Sequence, residues 1–182
     1  MRVIAGTARS VPLLSRDGLD TRPTTDRVKE AIFNIIQFEI EGRQVLDLFG
    51  GSGQMAIEAL SRGAAGAVIV DQSKDCVSII RQNLSKTRLS ERAELVCADY
   101  MSYLNSAKKR FDLIFLDPPY REKFLENALN RISEIDILKS GGIIVCERPA
   151  EKVLPEAYSV FRRVRDYRYG KTWITVYRAE AS

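Results

Sequence analysis

The 182-residue sequence contains no histidine. That absence excludes a Ser-His-Asp triad, a Cys-His nucleophile pair and a histidine-ligated zinc. Cysteine is scarce too: Cys76, Cys97 and Cys146 are far apart and show no metal-ligand spacing. An odd, unpaired set suits a reducing compartment. Cys97 and Cys146 fall in apolar strand-like runs, where a thiol is expected as a small buried hydrophobe. The start, "MRVIAGTARS", lacks the apolar core of a signal peptide, and no apolar run approaches the ~20 residues of a membrane span. There is no internal repeat and no low-complexity tract. These absences together predict a soluble, cytoplasmic protein with no bound metal and no membrane contact.

What is present fits one domain over 1–182, with an N-terminal hairpin and helix extension (1–43) and a core (44–182). A hydrophobic content of 45% is enough to bury a sizeable core. A net charge of +4 mildly favours a polyanionic partner. From Gln44 onward, short β-rich runs (44–49, 66–71, 93–98, 111–117, 141–147) alternate with amphipathic stretches (53–62, 73–86, about 101–107, 122–138). That rhythm predicts an α/β fold: a doubly wound, mostly parallel sheet covered on both faces. The runs are apolar throughout, as buried parallel strands should be. A hairpin at about 2–5 and 10–14 and a helix over about 25–38 precede the core. Two β-rich runs around Tyr169-Gly170 predict a C-terminal antiparallel hairpin.

Two strand ends carry the chemistry. The first reads "DLFGGSG", with Asp47, Phe49, Gly50, Gly51, Ser52 and Gly53. Glycines between a strand and a helix let a ligand approach the backbone and the free N–H groups of the helix start. Gly51-x-Gly53-x-x-Ala56, with Asp71 at ribose-binding distance, also satisfies the dinucleotide pattern of an NAD-dependent oxidoreductase. Asp47 argues against it, because a carboxylate there would repel a pyrophosphate. It suits a cationic ligand such as S-adenosylmethionine, with Asp71 and Gln72 at the ribose and Asp99 and Tyr100 at the adenine. Alternatively, these acids cap helices and nothing more.

The fourth run ends "DPPY", Asp117 to Tyr120. Two prolines remove two backbone donors and fix two φ angles, and the first holds Asp117 extended. The result is a stiff stub rich in acceptors, with an aromatic ring at its tip. The Asp117 carboxylate and the Pro118 carbonyl can hold the two N–H bonds of an exocyclic amine, while Pro119 stiffens the turn and Tyr120 stacks on the base. No histidine base is needed before attack, since the amine becomes acidic as it bonds to carbon.

In this order and at these strand ends, "DLFGGSG" and "DPPY" resemble class I S-adenosylmethionine-dependent methyltransferases of exocyclic amines. With "TRPTTDRVKEAIFNII", "IEALSRGA" and "YGKTWITVY", nearly the whole chain resembles the bacterial 16S ribosomal RNA guanine-N2 methyltransferase family. The resemblance implies a seven-stranded methyltransferase sheet (Rossmann-like), S-adenosylmethionine as donor, and transfer to a guanine N2 of 16S rRNA within an assembled or partly assembled small subunit. It implies a monomer that contacts RNA through Arg22, Thr24, Arg27 and Lys171. Arg9-Ser10-Val11-Pro12 departs from the family's basic-glycine-basic cluster, and Gln54 and Met55 stand where small residues are frequent. The alternatives are an adenine-N6 methyltransferase on DNA or RNA, the oxidoreductase, and a non-catalytic RNA-binding module.

Overall fold

The computed structural model describes residues 1–16, 23–119 and 123–181, and side chains of all these except 23–25. Five helices and seven strands follow in the order α1 (Pro23–Ile35), β1 (Gln44–Asp47), α2 (Gln54–Ser61), β2 (Gly66–Asp71), α3 (Lys74–Thr87), β3 (Ala93–Cys97), α4 (Tyr100–Ser106), β4 (Phe111–Leu116), α5 (Phe124–Glu134), β5 (Leu138–Pro149), β6 (Phe161–Tyr169) and β7 (Thr172–Ala179). The strands form one sheet in the order β3-β2-β1-β4-β5-β7-β6. β1 to β5 are parallel, and the β6–β7 hairpin adds antiparallel to β5. This is the mostly parallel seven-stranded sheet that the strand rhythm and the resemblance implied.

Alternation along the central strands divides the core in two. Val45, Leu113 and Phe115 face one side with Ile32 and Phe33 of α1, Ile57 and Leu60 of α2 and Ile80 of α3. Leu46, Ile114 and Leu116 face the other with Leu125, Leu129 and Ile132 of α5. Burial on both faces explains why these strands read as continuous apolar runs. β3 is an edge strand and only partly buried. Cys97, at its end, is exposed, which corrects the expectation of a buried thiol; Cys76 and Cys146 are buried.

The N-terminal arm folds back on itself antiparallel, as expected of a hairpin: a bridge pairs Arg2 with Pro12, the Val3 N–H donates to the Val11 carbonyl at 3.0 Å and the Leu13 N–H to the Met1 carbonyl at 2.9 Å. Further donors of the arm are taken by the body of the protein. The Ile4 and Ala5 N–H groups donate to the Glu58 carboxylate at 2.8 and 3.0 Å, and the Ala8 N–H to Ser61 Oγ at 2.9 Å. Glu58 is fully buried and also accepts from Arg62 Nε. Gly6 makes the close approach possible: its φ is +87°, and a Cβ there would lie 1.9 Å from the Ser61 carbonyl oxygen. β5 is longer than expected because its pairing with β4 starts at Leu138, before an irregularity that resets the register at Ile143. No helix among the described residues is long and apolar enough to cross a membrane.

Candidate active site

The strand order reverses between β1 and β4: from β1 the chain builds outward to β2 and β3, then returns to place β4 on β1's other side. In an open parallel sheet the crevice at the carboxyl ends of such a pair is where ligands bind. The two motifs open there. The glycine loop follows β1, and the Asp117-Pro118-Pro119 stub follows β4. Between them lies a cavity of about 560 Å³, lined by Phe49, Gly51, Asp71, Gln72, Asp99, Tyr100, Asp117, Pro118 and Pro119 among others.

The loop is held from behind. The Gly50 N–H donates to the Val70 carbonyl at 2.8 Å, and the Gly53 N–H to the Gly50 carbonyl at 2.7 Å. Asp71 fixes the turn, accepting from the Gly51 and Ser73 N–H groups at 2.9 Å each. Gly51 has φ +60°, and a Cβ on it would meet no protein atom within 4 Å. Asn83, fully buried, donates to the Ser52 and Leu14 carbonyls and accepts from the Leu14 N–H, tying the loop to the N-terminal arm. Gly50, Ser52 and Gly53 therefore stand behind the cavity wall and shape it, while Gly51 forms part of it.

Asp47 lies beneath the loop, 2% exposed, and is not on the cavity wall. Burial pushes its carboxyl up to about 7 against the opposing pull of N–H donors from Phe49 and Ala56. Its Oδ2 has no hydrogen-bond partner among the described residues. Asp99 is exposed and caps α4, its Oδ2 accepting from the Met101 and Ser102 N–H groups at 3.0 and 3.1 Å. It thus does what the plainer reading of these acids expected, and it also borders the cavity.

Aromatic rings form the opposite wall. Phe49 and Tyr100 lie 5.1 Å apart centre to centre, and Phe124 lies 5.2 Å from Tyr100 and 6.3 Å from Phe49, nearly parallel to it. Phe124 escapes the motif reading because it stands four residues past the stub, at the start of α5. Arg16, Ser73, Cys76 and Ala98 are further lining residues that the motifs did not name. Glu147, on β5, does not line the cavity, but its carboxyl lies within hydrogen-bond reach of Asp117, and the motifs did not name it. Its only signal in the sequence is position, one residue past the buried run "IIVC". Asp117 itself shows surface, but to a concave cavity whose walls still strip water from it. Burial, then Glu147, then Asp47, push its carboxyl well above the ordinary range.

Tyr120 and Arg22 lie outside the described residues, as does the Thr24 side chain. Arg27, on α1, and Lys171, in the β6–β7 turn, are exposed and do not line the cavity. The β5–β7 register pairs Pro149 with Thr172, so that turn stands at the cavity end of the sheet. Among nearby cations, Arg178 is committed to Glu39 at 2.6 and 3.0 Å, and Arg163 to Glu156 and Asp166. Arg162, Arg165 and Arg168 are exposed along β6. No cluster of metal-ligating side chains occurs among the described residues.

Comparison with known proteins supplies the family. The family described as Conserved hypothetical protein 95 matches residues 1–178. A Bacillus subtilis protein named "Putative rRNA methyltransferase YlbH" is 40% identical over 181 residues, covering 98% of each chain. The Escherichia coli protein named ribosomal RNA small subunit methyltransferase D is 33% identical over 181 residues, covering 100% of this chain and 91% of its own. A solved structure described as "Putative methyltransferase yhhF from Escherichia coli" superposes with a TM-score of 0.84 at 32% identity, covering 100% of this chain and 99% of that one. The sheet order is thus that of a methyltransferase fold, and the chain belongs to the Conserved hypothetical protein 95 family, alongside relatives named as methyltransferases of small-subunit ribosomal RNA.

Proposed function

We propose that the protein transfers a methyl group from S-adenosylmethionine to the exocyclic N2 of a guanine in 16S rRNA of the small ribosomal subunit. The observation that carries this reading is the meeting of the glycine loop and the Asp117-Pro118-Pro119 stub at one cavity. The cavity suits the donor in three respects. Asp47 keeps an unpartnered, buried oxygen behind the loop, a place for the pull of a cationic ligand. Asp71 and Asp99 offer acceptors at its rim, and Phe49, Tyr100 and Phe124 offer flat apolar surface to a purine. When bound, the donor supplies a methyl carbon made electrophilic by its sulfonium.

The protein's own part is to position the amine. The lone pair of an exocyclic amine is delocalised into its ring, so the nitrogen is a weak nucleophile until it is bent out of plane. The Asp117 carboxyl and the Pro118 carbonyl accept its two N–H bonds, and the stub has no proline N–H to compete for the lone pair. Tyr120 then stacks on the base. Arg27 and Lys171, with Arg22 and Thr24, hold phosphates and give affinity without base identity. Small-subunit structure supplies the remaining specificity to a monomeric, cytoplasmic enzyme.

Nucleoside mass spectrometry after incubating rRNA and small subunits with labelled S-adenosylmethionine tests this. The expected product is N2-methylguanine. N6-methyladenine would instead establish the adenine reading. Calorimetric binding of NAD without binding of S-adenosylmethionine would overturn both.

A further inference from the structure

Glu147 has no place in either motif, yet its carboxyl adjoins that of Asp117. β4 and β5 are parallel and in register at Leu116↔Cys146. Asp117 and Glu147 are the next residue on each strand, so they stand side by side at the carboxyl edge of the sheet. Both project to the face occupied by Phe115, Val145 and α1. Their carboxyls come within hydrogen-bond reach of one another. Two carboxyls can share a hydrogen bond only if one holds a proton, because two adjacent carboxylates would repel.

We infer that Glu147 is a positioning residue, sharing one proton with Asp117 and so fixing the orientation and the charge of the acceptor that faces the cavity. The inference rests on the proposed function for its consequence in catalysis, but the shared proton does not depend on it. Among the described residues, the other groups on this face leave the pair isolated. β1 contributes Asp47, a further carboxyl and no cation. β7 places apolar Ile174 in register with Glu147. On α1, Lys29 gives its ammonium to the Arg2 carbonyl at 2.7 Å and lies 3.7 Å from Glu58, and Asp26 lies 4.0 Å from that same ammonium. Arg148, the next residue, is engaged with Thr175, the Lys152 carbonyl and Asp166. With no cation among the described residues acting on the pair, a proton does the work of a counter-ion. When an amine donates to Asp117, the proton sits on Glu147, and Asp117 accepts as a carboxylate.

The test combines carboxyl-carbon NMR titration of the free protein with kinetics. Asp117 is assigned by comparison with Asp117→Asn. In Glu147→Gln the side-chain amide donates to Asp117 without adding charge, so the Asp117 midpoint should fall by about one to three pH units. The acid limb of kcat/KM should move down with it. In Glu147→Leu the orientation is lost, and kcat should drop by about 10- to 100-fold with donor affinity nearly intact. Glu147→Gln should recover a large part of that loss. An Asp117 midpoint that does not move in Glu147→Gln, or a Glu147→Leu variant with wild-type kcat and pH profile, would overturn the inference. A wild-type protein that shows the shared titration but methylates no rRNA would sink the proposed function and leave the proton sharing standing.

Discussion

Asp47→Asn is the sharpest probe of the site's electrostatics. The wild-type carboxyl is buried, and its pKa is raised from 3.8 to about 7. Burial is the cause, with the Asp71 charge adding a little and the Phe49 and Ala56 donors opposing. The folded protein therefore holds this proton more tightly than the unfolded chain. A raised pKa of this kind contributes stability that is complete below the unfolded pKa and is lost as pH rises through the folded one. Over the whole window the change is about 3 pH units, or about 4 kcal/mol at 1.36 kcal/mol per unit. Roughly 3 kcal/mol of that falls between pH 5 and 8.5. Asparagine cannot ionise, and its one oxygen can keep the Phe49 and Ala56 N–H bonds, but its amide N–H groups are buried where Oδ2 has no partner, a pH-independent cost of about 1–3 kcal/mol. The variant should thus gain roughly 3 kcal/mol on wild type between pH 5 and pH 8.5. Urea unfolding followed by circular dichroism at the two pH values measures the difference of differences. A value under about 1 kcal/mol would mean that Asp47 is already ionised in the free fold, and the reasoning from burial would fail.

Other substitutions separate the roles of the loop, the stub and the arm. Asp117→Ala should abolish methyl transfer to small subunits while calorimetric S-adenosylmethionine affinity stays within a few-fold; near-normal turnover would remove Asp117 from the acceptor role. Gly51→Ala should cost only about 1–2 kcal/mol in urea unfolding, because only the positive φ is strained. Its methyl would protrude into open space at the cavity, so donor binding should weaken by about tenfold or more. Gly6→Ala should behave in the opposite sense, with the new Cβ driven against the Ser61 carbonyl. It should destabilise by about 2–5 kcal/mol and expose the arm to proteolysis, while folded molecules bind donor normally.

Legibility tracks how local the cause was. β2 was readable to the residue at 66–71, because continuous burial on both faces writes itself as an apolar run. Lys74–Thr87 and Gln54–Ser61 were readable within a residue or two, since each starts at a loop with strong turn chemistry. The glycine loop and the stub were legible as a pair because each sits at a strand end and the sheet order joins them. The arm's antiparallel pairing was legible, but what ties it to the body was not: the Ile4, Ala5 and Ala8 N–H groups donate to Glu58 and Ser61, more than fifty positions away. Cys97 was misread because β3 turned out to be an edge strand, which apolar composition alone does not reveal. Glu147 went unseen for a similar reason. Its importance comes from register with Asp117 across two strands, and register between β4 and β5 is reset by an irregularity that no local pattern announces.

The missing histidine then takes on a structural meaning. Asp47, Asp117 and Glu147 project from three neighbouring strands, β1, β4 and β5, onto one face at the carboxyl edge of the sheet. A histidine among them would become cationic, pair with the nearest carboxylate and satisfy it. The site would lose the unpartnered acceptors that a cationic ligand and an amine require. Three acids without a base form an environment in which burial raises each carboxyl, and relief comes from whatever brings positive charge or N–H bonds. A donor with a sulfonium and a substrate with an exocyclic amine are complementary to that deficit. On the proposed function, the strain of crowding carboxyls at one edge favours binding, and orientation of the amine takes the place of a strong base.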